Sequence, residues 1–434
     1  MSITKLEVAR GVTLNVMETD KFKTNYLSVN FLVPLREETA SLNSLIPRVL
    51  SRGSEKYPTL ELFNKRLDYL YSASLSESVM RRGENQLIEF AAQFVDNVYA
   101  FDGTDITGGV IEMLDQLIFH PLTKEGRFVS EYVESEKRNL IDSIKAQINN
   151  KRYYAIARCG EEMCRGENYR FSAEGTVEGV SAITPESLWA QYKHLLKNSR
   201  VEIFFSGRCD PEKLRGIFAN MFAGGMASIP DLTTEVIRTA GEVREVIEDQ
   251  PVAQGKLSVG FRTGHVLSDG NYHIFALFNE LYGGSPTSKL FTNVRERLSL
   301  CYYCSSRPEA LKGVMIVASG IEVDKFEQTR DEIIAQLEGI KAGNFTDGEL
   351  ESAKNSLING YRAHNDSPAA LDGWYLSRML AGLSDSPDDA AAKVAGVTRE
   401  QIIEAADKVV LDTVYFLRGT LLPEGEDDAE GTEE

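Results

Sequence analysis

Five histidines and one closely spaced cysteine pair are the residues of this chain best suited to metal or redox chemistry. The histidines are His120, His194, His265, His273 and His364. A helix places two ligands on one face only when they are three or four residues apart, and none of the five has a partner at that spacing. They read as surface or core side chains. Cys301-Tyr302-Tyr303-Cys304 has the C-x-x-C form used by metal and redox sites. Cys301 to Ser306, however, reads as a strand, in which residues three apart point to opposite faces, so the pair is not expected to work together. Cys159 and Cys164 read as packing residues. Gly283-Gly284 lacks both the following Lys-Ser/Thr and the G-x-G-x-x-G spacing of a phosphate loop, and reads as a helix C-cap and turn.

The elements that would carry these residues occur twice. Leu27-Ser28-Val29-Asn30-Phe31 returns as Leu257-Ser258-Val259-Gly260-Phe261, and Leu62-Phe63 as Leu290-Phe291. Val133 to Ile141 returns as Leu350 to Ile358, Ile183 to Glu186 as Val397 to Glu400, and Val201 to Gly207 as Thr413 to Gly419. The offset falls steadily from 230 to 212, so the order is kept and the first copy is longer by 18 residues. Ordered matches of this length indicate a duplicated domain, not a short solenoid repeat. Each copy opens with alternating strand segments, Tyr26 to Val33 and Lys256 to Arg262. Helical stretches follow at Ala40 to Leu50, Thr59 to Leu70 and Tyr272 to Leu281. Tyr71 to Ser76 reads as a strand, and Glu131 to Ala157 as one long charged helical segment. Thr184-Pro185-Glu186 and Thr398-Arg399-Glu400-Gln401 are helix starts, the second with a capping-box pattern. Val201 to Phe205 and Thr413 to Leu417 are closing strands.

Strands and helices in meandering order give an α+β class: two duplicated domains, each a mainly antiparallel β-sheet with α-helices packed on one face. The expected division is 1–225, a linker at 226–245, 246–420, and an acidic tail at 421–434 expected to be disordered. Of the 434 residues 42% are hydrophobic, enough for a core in each copy. The net charge of −18 excludes a nucleic-acid partner, because phosphate binding needs a basic face. No apolar run reaches the ~20 residues of a membrane helix, so no membrane association is expected. The N-terminus lacks a signal-peptide h-region, and the five cysteines form no disulfide framework. Both point to a cytoplasmic location.

Leu281-Tyr282-Gly283-Gly284-Ser285-Pro286-Thr287-Ser288-Lys289-Leu290-Phe291 ends in S-x-L-F and runs into Arg295-Glu296-Arg297-Leu298-Ser299-Leu300-Cys301-Tyr302, an R-E-x-x-x-L-x-Y pattern. Arg52-Gly53-Ser54-Glu55-Lys56-Tyr57-Pro58 is similar to a K-G-T-x-x-Y-P frame. With the duplication, these segments resemble the pitrilysin/insulinase family of zinc peptidases, which includes the mitochondrial processing peptidases, over nearly the whole chain. The resemblance implies a LuxS/metallohydrolase-like processing-peptidase fold. It also fixes where H-x-x-E-H should stand, with two histidine zinc ligands and a glutamate base acting on zinc-bound water. Here those five positions are Ser44-Leu45-Ile46-Pro47-Arg48. The family's third ligand is a glutamate seven residues after another; Glu136 is kept, and Ser143 stands at the ligand position.

What the resemblance implies is therefore a non-catalytic member, of a bacterial branch often encoded beside a zinc-bearing partner. It implies no catalytic residue, no metal and no cofactor of this chain's own, zinc being expected only in a catalytic partner. Arg295 and Tyr302 stand where the family holds substrate backbone, and Tyr71 to Glu77 matches its substrate edge strand. The expected partners are peptide substrate and a homologous zinc-bearing subunit in a heterodimer, or a second copy in a homodimer. An active peptidase with an unusual site and a purely structural scaffold are the competing readings.

Overall fold

The computed structural model describes residues 3–421, so the acidic tail lies outside the described residues apart from Leu421. The chain forms two compact units, and each is discontinuous in sequence. The first comprises the residues up to Gln147, Gly166–Glu235 and Gly360–Ala391. The second comprises Ile148–Arg165, Val236–Asn359 and the residues from Ala392 on. Helix Lys151–Met163 thus belongs to the second unit and helix Pro368–Leu380 to the first.

The first unit is built on strands β1 (Thr4–Ala9), β2 (Val12–Glu18), β3 (Thr24–Pro34), β4 (Ser74–Arg82) and β5 (Asn85–Val95), a small hairpin of β6 (Thr123–Lys124) and β7 (Arg127–Phe128), and β8 (Arg200–Gly207). Its main sheet runs β1-β2-β8-β3-β5-β4, all antiparallel except β2 against β8. The second unit has β9 (Arg244–Gln250), β10 (Gly255–Arg262), β11 (Tyr303–Glu309), β12 (Val314–Ile321) and β13 (Val410–Gly419), in the order β11-β12-β10-β13-β9. Read from β9, that order repeats β2-β8-β3-β5-β4, including the single parallel pair, β9 with β13. The register repeats too. Val29 lies opposite Phe90 and Ile203, and its twin Val259 lies opposite Val317 and Val414.

One face of the first sheet carries its own helices. Leu27, Val29 and Phe31 pack with Leu45 and Ile46 of helix Glu37–Leu50, Leu114 of helix Ile106–Phe119 and Leu188 of helix Pro185–Leu195 in one buried core. The other face carries the alternate residues of β3, Tyr26, Ser28, Asn30 and Leu32, and these are buried as well. They are covered by helix Pro368–Leu380, which comes from the second half of the sequence. Leu371, Trp374 and Tyr375 pack with Tyr26 and Phe204, while Leu376 packs with Leu32 and Leu87. Asp372 on the same helix accepts a 2.5 Å hydrogen bond from Ser28 Oγ.

The second unit mirrors this arrangement. Helix Lys151–Met163, from the first half of the sequence, lies on β10, β12 and β13. Its Cys159 Sγ faces the carbonyl of Ser258 at 3.7 Å, and Arg262 donates to the carbonyl of Met163 at 2.7 Å. Close approach depends on Gly260: a Cβ there would lie 3.0 Å from Met163 Sδ and 3.2 Å from Cys159 Sγ. The long segment expected from Glu131 to Ala157 is thus two helices, Ser130–Ala146 and Lys151–Met163, the second capped by Asn150 accepting from the Tyr153 N–H. Its break at Asn150 lets one stretch of sequence serve both units.

Candidate functional site

Ser44, Pro47 and Arg48 share one face of helix Glu37–Leu50, as spacings of three and four residues require. Ser44 is 2% exposed, and the intervening Leu45 and Ile46 point into the core at 0%. Pro47 has no N–H to offer the carbonyl of Asn43, so the helix loses one bond of its ladder there. The helix still completes its last turn, with the Ser51 N–H donating to the Pro47 carbonyl at 3.0 Å. A polar network fixes this segment. Asn43 donates to Gln86 Oε1 at 2.9 Å and accepts from Gln191 at 2.8 Å, while Gln86 donates to the carbonyl of Ala40 at 3.0 Å.

The face bearing Ser44, Pro47 and Arg48 lines a cavity of about 380 Å³, with Glu77, Ser78 and Val79 of β4 and Glu174 opposite. Burial raises the Glu77 carboxyl above its ordinary range, a shift opposed by Ser51 and by the Arg48 cation. Glu136 is buried, accepts from Asn139 Nδ2 at 3.1 Å and pairs with Arg52 Nη1 at 3.2 Å. Its carboxylate thereby fixes the frame behind the helix. Ser143, half-buried two turns on, does not line the cavity. A hydroxyl, a proline ring and a guanidinium do not make a zinc site, because none supplies an imidazole or thiolate lone pair and the guanidinium repels a cation. Among the described residues, no group of three or more His, Cys, Asp or Glu side chains is placed to hold a metal ion.

The histidines sit against local groups. His120 Nε2 lies 3.2 Å from Asp115, and His194 Nδ1 lies 3.2 Å from Asn198 Nδ2. His265 stacks on Phe275 with Nε2 3.2 Å from the Ala405 carbonyl, and His364 meets the edge of Trp374.

Arg295 and Tyr302 come together in the second unit. Arg295 lies on the π-helical turn Leu290–Arg297, and Tyr302 follows it in the bend before β11. Both line a polar cavity of about 400 Å³ that also takes in Glu296, Cys301, Glu322 and Lys325. The guanidinium lies 4.6 Å from the Phe291 ring centre and 3.3 Å from Glu296, leaving its side chain 39% exposed. Tyr302 is 54% exposed, with its backbone N–H anchored to the Gly320 carbonyl at 2.8 Å. Two donors on fixed backbone, open to solvent, can bond the carbonyls of an extended peptide. Gly283-Gly284 lies in the π-helical turn Glu280–Gly284 instead of a simple cap. A Cβ on Gly283 would come within 2.7 Å of Ser306 Oγ, so the glycine lets this turn pack against β11.

Two strand assignments move. The edge strand after the second helix is Ser74–Arg82, not Tyr71 to Glu77, because Tyr71 and Ser72 turn with φ of 60° and 56°. Strand β11 begins at Tyr303, so Cys301 precedes it and strand alternation does not govern the cysteine pair. Glu77, Glu174, Glu322 and Lys325 had no motif to mark them; only the fold brings them to the two cavities.

The first copy carries Ser44, Pro47 and Arg48 on a cavity-facing helix, and the second carries Arg295 and Tyr302 at a polar cavity. Residues 182–357 match the family described as "Peptidase M16 inactive domain". The chain is 32% identical to "Probable inactive metalloprotease YmfF" of Bacillus subtilis (strain 168), over 94% of this chain and 96% of that protein. It therefore belongs to the M16 peptidase family, the pitrilysin/insulinase group, and is an inactive-type homologue within it. A crystal structure of a conserved protein from Enterococcus faecalis V583 superposes with a TM-score of 0.88 at 28% identity, covering 98% of this chain and 100% of that one. The "peptidase M16 inactive domain" from Pseudomonas fluorescens shares the fold with a TM-score of 0.80 at 16% identity, covering 98% and 100%. Among the described residues, no helix is long and apolar enough to cross a membrane.

Proposed function

We propose that this chain is the non-catalytic subunit of an M16 peptidase complex, gripping peptide substrate and completing the chamber of a homologous zinc-bearing partner. The observation that carries the reading is the contrast between its two cavities. The cavity beside Ser44 has no imidazole or thiolate to hold a zinc ion on its helix face, while the one beside Arg295 keeps exposed donors suited to peptide carbonyls. Substrate capture needs hydrogen bonds and an open strand edge, not a metal, and β4 lies at the edge of its sheet. Zinc, on this reading, is the partner's.

The test is reconstitution with a zinc-bearing M16 homologue from the same genome. The pair should co-purify, and the complex should cleave peptides in a chelator-sensitive way. Arg295→Ala in the complex should lower turnover roughly 10- to 100-fold, as expected for losing a charged donor. Arg295→Lys should recover part of it, since lysine keeps the charge but not the planar fork. Unchanged turnover in Arg295→Ala would remove the grip role, and failure to associate would remove the subunit role.

A further inference from the structure

We infer that the cavity beside Ser44 is a carboxylate receptor, in which the Arg48 guanidinium and the Ser44 hydroxyl take up an acid group of an extended peptide laid along β4. This deepens the subunit reading above, on which its peptide source rests, by naming a class of substrate. Arg48 is a cation with nothing to hold. A guanidinium carries five N–H donors and no acceptor. Nearby, Arg52 pairs with Glu136 at 3.2 Å, and Arg81 of β4 donates to the carbonyls of Tyr169 and Phe171. Arg48 is half-buried and lines the cavity, yet among the described residues it has no hydrogen bond and no ion pair. Ser44 supplies a second observation. It lies one turn back on the same helix face and is 2% exposed, and its hydroxyl likewise has no partner among the described residues. A buried polar group left without a partner is costly, and both of these groups line the same space.

The walls decide which ligand fits. At about 380 Å³ the cavity lies at the lower end of the ~300–1,000 Å³ range of small-ligand sites. Glu77 and Glu174 line it as well. Glu174 Oε2 accepts from Gln147 Nε2 at 2.7 Å. Burial raises the Glu77 carboxyl and Glu136 adds to the rise, with Arg48 opposing. A phosphate dianion would bring two charges against one guanidinium, with the Glu174 carboxylate repelling both. A cationic ligand would meet Arg48. A carboxylate brings a single charge and matches the planar fork of the guanidinium with two parallel hydrogen bonds. Its remaining lone pairs can accept from the Ser44 hydroxyl and from Glu77 when that acid is protonated.

Strand β4 brings the peptide to this point. It is the edge strand of its sheet. Leu75 and Val79 pack against the helix-bearing core, and Glu77 between them shares that face. A peptide pairing with β4 sets alternate side chains on that face, and its end can lie there too. The acid group is therefore either the C-terminal carboxylate of the peptide or an aspartate or glutamate side chain along it. The chain's net charge of −18 opposes anion capture in general, so a preference for acidic peptides points to a local cation. A carboxylate held at Arg48 contributes equally before and during the reaction in the partner's site. Arg48 thus sets the peptide concentration needed for half-saturation and leaves the turnover of the saturated complex alone.

The test is calorimetry on the full chain alone with short peptides of alternating alanine and valine. One ends in a free carboxylate, one is amidated at its end, and one is amidated but carries an internal glutamate. At least one acidic peptide should bind roughly tenfold tighter than the neutral amide, as a charge-assisted pair does. Preference for the free end assigns the terminal carboxylate, and preference for the glutamate peptide assigns the side chain; either supports the receptor. Arg48→Gln keeps a side chain of donors without the charge, and should abolish the preference at unchanged Tm. Arg48→Lys should recover part of it, and Ser44→Ala should weaken the acidic peptide roughly threefold. Equal affinity for all three peptides, or a preference that survives in Arg48→Gln, overturns the inference. If no peptide binds at all, the peptide-grip reading fails, and the receptor is tested separately with acetate. Acetate should slow phenylglyoxal modification of Arg48, mapped by peptide mass, and no protection overturns the receptor as well.

Discussion

The cavity beside Ser44 is lined by β4, the edge strand of its sheet, and the one beside Arg295 by the residues that lead into β11, the edge strand of the second sheet. What differs is the helical segment that walls them. In helix Glu37–Leu50 the cavity-facing positions hold a buried hydroxyl, a proline and a cation, yet Leu45 and Ile46 between them remain core residues. In Leu290–Arg297 the core residues Leu290 and Val294 are kept, and so is the outward-facing Arg295. The lesson is that the two faces of one helix answer to different demands. Packing fixes the inner face, so chemistry can vanish from the outer face while the fold stays intact.

The sharpest way to break the comparison is to rebuild the first cavity. Ser44→His, Pro47→Glu, Arg48→His and Ser143→Glu together restore two imidazoles one helical turn apart, a base and a third ligand. Metal content by plasma mass spectrometry should rise to about one zinc per chain. No uptake would mean that the register of the dismantled motif is wrong. Next in size is the covering helix. Trp374→Ala should cost the folded chain about 3–5 kcal/mol in denaturant titration, as removal of a buried aromatic does. A loss under ~1 kcal/mol would mean that Pro368–Leu380 is not integral to the first unit.

The two arginines offer a direct contrast. In the reconstituted complex, Arg48→Ala should leave turnover within about twofold, whereas Arg295→Ala should lower it 10- to 100-fold. Equal effects would erase the distinction between the cavities. A pH-dependent effect concerns Asp372, whose carboxyl is pushed up to about 7 by burial, with Ser28 hydrogen bonding opposing and Glu89 adding to the rise. Between its unfolded value near 4 and about 7 the native state holds a proton that the unfolded chain has lost, so stability falls as pH rises through that window. Asp372→Asn, which cannot ionise, should gain on the wild type by on the order of a few kcal/mol between pH 5 and pH 8. A pH-independent difference in Tm would show that this carboxyl is not protonated in the folded chain.

Much of this was legible in the sequence because it depends on local pattern. The twin strands and the twin helix starts are contiguous stretches. The structure finds full capping boxes at Thr184 with Ser187 and at Thr398 with Gln401. The destination of a helix was not legible. Periodicity shows that Lys151–Met163 and Pro368–Leu380 have an apolar face, but not which sheet that face meets. Nor was the turn at Ser299 legible, because a serine with positive φ carries no glycine to announce it. With that turn unread, the strand starts two residues too early and takes in Cys301.

The exchange of those two helices sets a timetable for biosynthesis. Ser28 meets its partner Asp372 across 344 residues of sequence. A ribosome that has finished the first sheet must therefore make nearly the whole remaining chain before Leu32, Leu87 and Phe204 lose their contact with water. Through that interval the nascent chain carries an apolar sheet face, a surface prone to aggregation and suited to chaperone capture. A first half made without the second would keep that face open, because the helix that covers it, Pro368–Leu380, lies in the second half of the sequence.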